Sequence, residues 1–301
     1  MPPGIREDSM RKKRVSLSTI ILFIILLVGI SVMLYPTVSD WWNSRVQSYA
    51  IANYDAAVEQ MDENNYDEIM NDAHWYNECL NHVHSPFSVP DAIAGYNDIL
   101  NISGTGIMGY ITIPSIQVQL PIYHGTSDEV LNVAAGHLRG SSLPVGGEST
   151  HSVISAHRGL PSARLFSDLD QLVVGDTFTI TILDEILTYE VEEILIVLPH
   201  EMDKLSVISG KDYVTLMTCT PYGINSHRLL VRSKRIETVY PHNIKIVADA
   251  VQVDPMLVVP GICAPLLIGL ITIWIIGSRK RRVRTPKAIF NEINSKTKEG
   301  D

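Results

Sequence analysis

Thr215-Leu216-Met217-Thr218-Cys219-Thr220-Pro221-Tyr222-Gly223, followed shortly by Arg228-Leu229-Leu230-Val231, decides how this 301-residue chain is to be read. Val214 to Thr218 is an apolar run of the kind that forms a strand, and Pro221 and Gly223 mark the turn that ends it. A strand end holds a side chain rigidly while leaving it partly open, so Cys219 is placed as a nucleophile would be. A thiol reacts as thiolate and needs a cation or base nearby. Arg228 opens the next predicted strand, and a hairpin between the two strands brings its guanidinium beside Cys219. That group stays charged and offers forked donors to a thiolate or an oxyanion. A lone cysteine at a strand end is more often structural than catalytic, so the reading needs a base.

Working outward, short runs rich in Val, Ile, Thr and Tyr recur between turn residues. They are Gly109–Ile113, Val118–Tyr123, Ser152–Ser155, Thr177–Leu183, Thr188–Leu198, Tyr213–Thr218 and Arg228–Val231. Many short strands with scattered turns predict an all-β barrel or sandwich. Trp41 to about Val83 is periodic as a helix, with Asn64 and Asn65 marking a break between two helices.

The base should be a histidine. His157 ends the apolar run Ser152-Val153-Ile154-Ser155-Ala156 and precedes Arg158-Gly159, a site of the same type as Cys219. His137, in a stretch that reads as a loop near the barrel, is the main competitor, and spacing does not choose between them. His227 neighbours Arg228, so its side chain points to the other face of the strand.

Ser155-Ala156-His157-Arg158-Gly159-Leu160-Pro161 resembles the segment around the catalytic histidine of the sortases. Thr215 to Asn225 resembles their Thr-Leu-x-Thr-Cys signature, and Arg228 falls on the family's arginine. Gly136-His137-Leu138 and Ser141 to Gly147 match scaffold stretches, which removes the claims of His137 and His151. The resemblance covers about residues 84–236, and three ordered motifs make it specific. It implies a mainly β fold: a closed eight-stranded sortase-type barrel with short helices, an N-terminal helical segment and two flanking transmembrane helices. It implies Cys219 as nucleophile, His157 as acid/base partner and Arg228 as charge stabiliser, with no metal or organic cofactor.

The two anchors, the helical entry segment and Cys219-Thr220-Pro221-Tyr222-Gly223 resemble class C, the pilin-polymerising sortases. Members of that class carry a lid loop with an Asp-Pro-aromatic motif that covers the cysteine. Ser85-Pro86-Phe87 falls at that place. Phe87 matches the aromatic, positioned to pack on Cys219 and exclude water. Ser85 stands where an aspartate is expected and cannot pair with Arg228 as an ion, so the lock on Arg228 should be weak.

Residues 15–35 and 255–277 are uncharged stretches each long enough to cross a bilayer as a helix. Arg11 to Arg14 precede the first, and Arg279 to Arg282 with Arg284 follow the second, so both termini read as cytoplasmic and the middle as extracytoplasmic at a Gram-positive-type cell surface. The first apolar core is longer than a cleaved signal peptide's, and the nearest Ala-x-Ala, Ala50 to Ala52, lies well beyond it. The expected organisation is a basic tail (1–14), a transmembrane helix (15–35), an extracytoplasmic helical segment (36–83), a lid loop and linker (84–105), the catalytic barrel (106–240), a juxtamembrane linker (241–254), a transmembrane helix (255–277) and a basic tail (278–301).

Charge is split. Between Pro36 and Pro255 there are 28 Asp and Glu against 11 Lys and Arg, a balance of −17, and the two ends hold 13 basic and 5 acidic residues, a balance of +8. A domain this acidic repels nucleic acid and suits an amine-bearing partner. Of the three cysteines, Cys263 reads as a small apolar filler in the second membrane segment. Cys79 is either a similar filler or half of a disulfide, and the motif around Cys219 favours a free thiol there.

The resemblance implies cleavage of a Leu-Pro-x-Thr-Gly-like sorting signal on a pilin, a thioester on Cys219, and transfer to a lysine amine of another pilin subunit. The alternatives are a sortase that anchors proteins to cell-wall peptide, a cysteine protease that releases the acyl group to water, and a membrane-tethered binding module, which leaves the three site residues without purpose.

Overall fold

The computed structural model describes residues 17–238 apart from residue 103. The second apolar stretch (255–277) and both basic tails fall outside the described residues. The chain enters through one 43-residue helix, α1 (Leu17–Glu59), which passes through Pro36 without ending. Proline removes one backbone bond from a helix, a loss that membrane helices tolerate. The first half of α1 exposes Leu, Ile and Val on all sides, whereas Ile51 and Tyr54 in its second half are buried. Its apolar part is long enough to cross a bilayer by length and composition.

α2 (Glu63–Leu80) buries Met70, Ala73, Tyr76, Asn77 and Leu80, one face at helical spacing. Asn77 clamps the helix to the barrel: its Nδ2 donates to the Leu143 carbonyl at 3.1 Å and its Oδ1 accepts from the Leu143 N–H at 2.6 Å. The break between the helices lies at residues 60–62, ahead of the predicted Asn64–Asn65, which begin the second helix instead.

Eight strands follow: β1 (Ile107–Ile113), β2 (Val118–His124), β3 (Ala135–His137), β4 (Thr150–Ser155), β5 (Thr177–Ile182), β6 (Glu185–Val197), β7 (Asp212–Thr220) and β8 (His227–Ile236). They close into a barrel in the order β1-β2-β3-β4-β7-β8-β6-β5. Seven occupy the predicted positions, several extended by a few residues. β3 corrects the sequence reading, which had the stretch around His137 as a loop. Gly136 lets the chain pass close to its neighbour, since a Cβ there would lie 2.2 Å from the Gly125 carbonyl oxygen.

Alternate residues point inward. Ile111, Ile122, Ile154, Phe178, Leu216 and Val231 are buried in the main core. A second apolar cluster gathers Val153, Val197, Leu205 and Leu230, with Phe87, Leu138, Leu195, Met202 and Met217 packed against it. Val153, Met217 and Leu230 alternate with the inward-facing Ile154, Leu216 and Val231, so this cluster lies on the outer face of β4, β7 and β8.

Candidate active site

Cys219 pairs directly with Arg228 across the antiparallel β7–β8 ladder, the juxtaposition expected from the sequence. On its other side β7 runs parallel to β4, with Ser155 level with Met217. Two bonds carry that seam past the end of β4. The Ala156 N–H donates to the Met217 carbonyl at 3.2 Å, and the Thr218 hydroxyl donates to the Ala156 carbonyl at 2.8 Å. Ala156, the residue before His157, therefore lies against Met217 and Thr218, just ahead of Cys219. Cys219 thus occupies a central strand with the histidine segment on one flank and the arginine on the other. All three residues are half-buried.

Arg228 Nη1 donates to the carbonyls of Asn225 at 3.3 Å and His227 at 3.2 Å, which hold the guanidinium over the β7–β8 turn. Among the described residues no carboxylate forms an ion pair with it. Its charge is therefore available to an anion generated beside Cys219.

Arg158 fixes the loop that carries His157, a role the sequence did not reveal. Its Nε donates to the Ser167 carbonyl at 3.2 Å, its Nη1 donates to Thr220 Oγ1 at 3.3 Å, and its Nη2 pairs with Asp170. The same side chain therefore touches the residue after Cys219 and the helical turn beyond the loop.

The competing histidines are structural. His137 is fully buried: Nδ1 accepts from the Tyr96 hydroxyl at 2.8 Å, and Nε2 donates to the Ser142 carbonyl at 2.8 Å. Burial pushes its pKa down to about 4, so it stays neutral and sealed from solvent. His151 is also buried, with Nδ1 donating to the Ser206 carbonyl at 3.0 Å and Nε2 accepting from Thr215 Oγ1 at 2.7 Å. Its pKa is lowered, first by desolvation.

Residues 84–102 run beside this face. Ser85 is exposed and adopts φ 56°, and its carbonyl accepts from the Ser88 N–H at 2.9 Å, closing a turn over Pro86 and Phe87. Phe87 packs against the outer-face cluster that contains Met217, two residues before Cys219 on the same face. The turn rests on Gly140, whose φ is 92°; a Cβ there would lie 2.8 Å from the Pro86 carbonyl oxygen. Further along, Arg139 secures the segment by pairing with Asp91, donating to Asn97 Oδ1 at 2.7 Å and lying 4.4 Å over the Tyr96 ring. A cleft of about 150 Å³ opens beneath the turn, lined by Leu80, Pro86, Phe87, His151 and Leu205 among others.

Comparison with known proteins gives one consistent answer. A family model described as the Sortase domain matches residues 111–236. Sortase A of Streptococcus agalactiae serotype III (strain NEM316) is 32% identical over 117 residues, 38% of this chain and 47% of that protein. The match therefore spans about half the length of that curated relative. Sortase C1 of Streptococcus agalactiae is 52% identical, with a TM-score of 0.58 over 64% of this chain and 100% of that one. Sortase C of Streptococcus pneumoniae, a structure described as bearing on catalysis and pilin substrate specificity, is 44% identical, with a TM-score of 0.58 over 64% of this chain and 99% of that one.

Proposed function

This chain belongs to the sortase family, its similar solved structures include class C members, and we propose that it is a membrane-anchored cysteine transpeptidase that polymerises pilins. The observation that carries the reading is the pairing of Cys219 with Arg228 on β7 and β8, with His157 following the strand on the other side.

The Cys219 thiolate attacks the Thr carbonyl carbon of a Leu-Pro-x-Thr-Gly-like signal. Negative charge gathers on the carbonyl oxygen, where the Arg228 guanidinium stabilises it. The Thr–Gly C–N bond breaks as His157 gives its proton to the leaving glycine amine, and a thioester remains on Cys219. A lysine amine of a second subunit attacks the thioester, His157 takes a proton from it, and the C–S bond breaks. The product is an isopeptide bond, with the thiolate and the imidazolium restored.

In this reading the site lies outside the cell, supported by the length and apolarity of the first half of α1 and by the sequence pattern of an uncharged stretch at 255–277 followed by basic residues. The acidic barrel suits an amine-bearing acceptor. Ser85-Pro86-Phe87 acts as the lid, covering the outer-face cluster beside Cys219 until substrate displaces it.

The test is intact-mass analysis of the full chain in detergent with a Leu-Pro-x-Thr-Gly peptide, with Cys219→Ala as control. The expected result is a thioester on Cys219 alone, discharged by a lysine-bearing pilin into linked subunits. Discharge only to water would replace the transpeptidase by a protease. A thiol that neither acylates nor reacts with small alkylating agents would end the catalytic reading.

A further inference from the structure

The second half of α1 lies along the barrel, and its contacts fix which end of the barrel faces its apolar first half. Asp40 Oδ1 accepts from the Arg164 N–H at 2.7 Å, and Asn43 Nδ2 donates to the Ser162 carbonyl at 2.7 Å. Farther along, the Tyr54 hydroxyl donates to the Met108 carbonyl and accepts from the Leu183 N–H, both at 2.8 Å. The helix thus descends from the β5–β6 hairpin to the loop that follows His157. Asp40 lies only ~7.5 Å along the axis from Tyr35, at 1.5 Å per residue. The polar zone on each side of a bilayer is roughly 5–7 Å deep. The end of the barrel that holds Arg164 therefore meets the lipid surface.

That end is the apolar one. β4 and β7 run parallel and both finish there, and β8 starts and β6 stops there. Val173 and Val174 in the loop before β5, Ile196 near the end of β6, and Tyr222 and Ile224 in the β7–β8 turn are 61 to 72% exposed. The opposite end turns through the exposed Asp184 and Glu185. Scattered apolar side chains are ordinary on a soluble surface, but several gathered at one end are not. Arg158 and Arg164 near this end are already paired with Asp170 and Asp168, so no free cation among them seeks an anionic headgroup.

We propose that the β7–β8 turn, the loop before β5 and the end of β6 form a rim that inserts into the lipid headgroup layer, so that the Cys219 end of the barrel faces the membrane. The inference rests on reading the first half of α1 as a membrane anchor. The rim also touches the site. Tyr222 lies against Gly159, where a Cβ would come within 3.0 Å of the ring, and the Arg158 guanidinium is 5.9 Å from the ring centre. A turn seated in lipid thereby steadies the segment that carries His157.

The test uses the full chain in phosphatidylcholine nanodiscs, with native cysteines replaced (Cys79→Ser, Cys219→Ala, Cys263→Ser) and an environment-sensitive fluorophore on Ile224→Cys, Val174→Cys, Ile208→Cys or Val28→Cys. Ile208 lies in an exposed turn beside the start of β7, at the far end of the barrel. Spin labels near the headgroup should quench fluorophores at 224 and 174 by about half and one at 208 by less than about a tenth, as interfacial burial requires. Spin labels deep in the acyl chains should quench position 28. Quenching at 28 without excess quenching at 224 and 174 overturns the rim and leaves the anchor standing. No deep quenching at 28 removes the anchor reading, and the rim with it.

Discussion

The Thr218 hydroxyl donates to the Ala156 carbonyl at 2.8 Å, across the seam that joins the Cys219 strand to the His157 segment. Both residues are buried. Thr218→Val leaves that carbonyl unsatisfied, at about 1–3 kcal/mol. The melting temperature should drop by roughly 2–4 °C per kcal/mol. Single-turnover acylation should slow about tenfold through misplaced groups. Thr218→Ser should restore most of both. A Thr218→Val enzyme that melts lower yet acylates at the parental rate would show the bond to be structural only.

Arg228 has its charge unspent on any acid among the described residues. Arg228→Ala should lower kcat/KM by about 10²–10³-fold, the usual effect of losing a donor to a developing oxyanion. Arg228→Lys keeps the charge without the fork and should fall between. Rapid-quench measurement of thioester formation separates these values, and equal rates for Arg228→Ala and the parent would remove the assigned role.

The proposed lid is tested by two substitutions of opposite effect. A Cβ at Gly140 would strike the Pro86 carbonyl at 2.8 Å, so Gly140→Ala should lift the turn and speed alkylation of Cys219. Ser85→Asp restores the acid expected opposite Arg228, and Asp tolerates the positive φ found there. It should slow alkylation. Labelling rates that move together, or not at all, contradict a lid held at these two points.

His137 sets a pH dependence of stability. Its native pKa of about 4 lies below the ordinary 6.5, so the unfolded chain takes up a proton that the folded chain refuses. Stability from this source is complete above pH 6.5 and is lost as pH falls toward 4. Between pH 7 and pH 5 the loss is about 2 kcal/mol. Urea unfolding at both pH values should show a smaller decline for His137→Gln than for the parent.

What the sequence made legible follows from locality. β7 and β8 declare themselves by alternation on either side of a Pro-Gly turn, so the Cys219–Arg228 pairing was readable. β3 was not, because three residues containing Gly136 and His137 carry no strand propensity and are extended only by pairing with β2 and β4. For the same reason local pattern did not separate His137 from His157. The partner that seals His137 is Tyr96, 41 residues earlier. Gly140 left no signal beyond being a glycine, and Arg139 and Arg158 declared their charge but not their partners.

Cys219 and His157 lie on neighbouring segments whose pairing spans 62 residues of chain. β5 and β6 must be laid down between them before β7 can find β4, and closing so long a loop comes late in folding. A chain in which only the β7–β8 hairpin has formed therefore holds Arg228 beside Cys219 while His157 is still distant. On the proposed chemistry, the proton carrier reaches the thiol only once the long-range β4–β7 seam has closed.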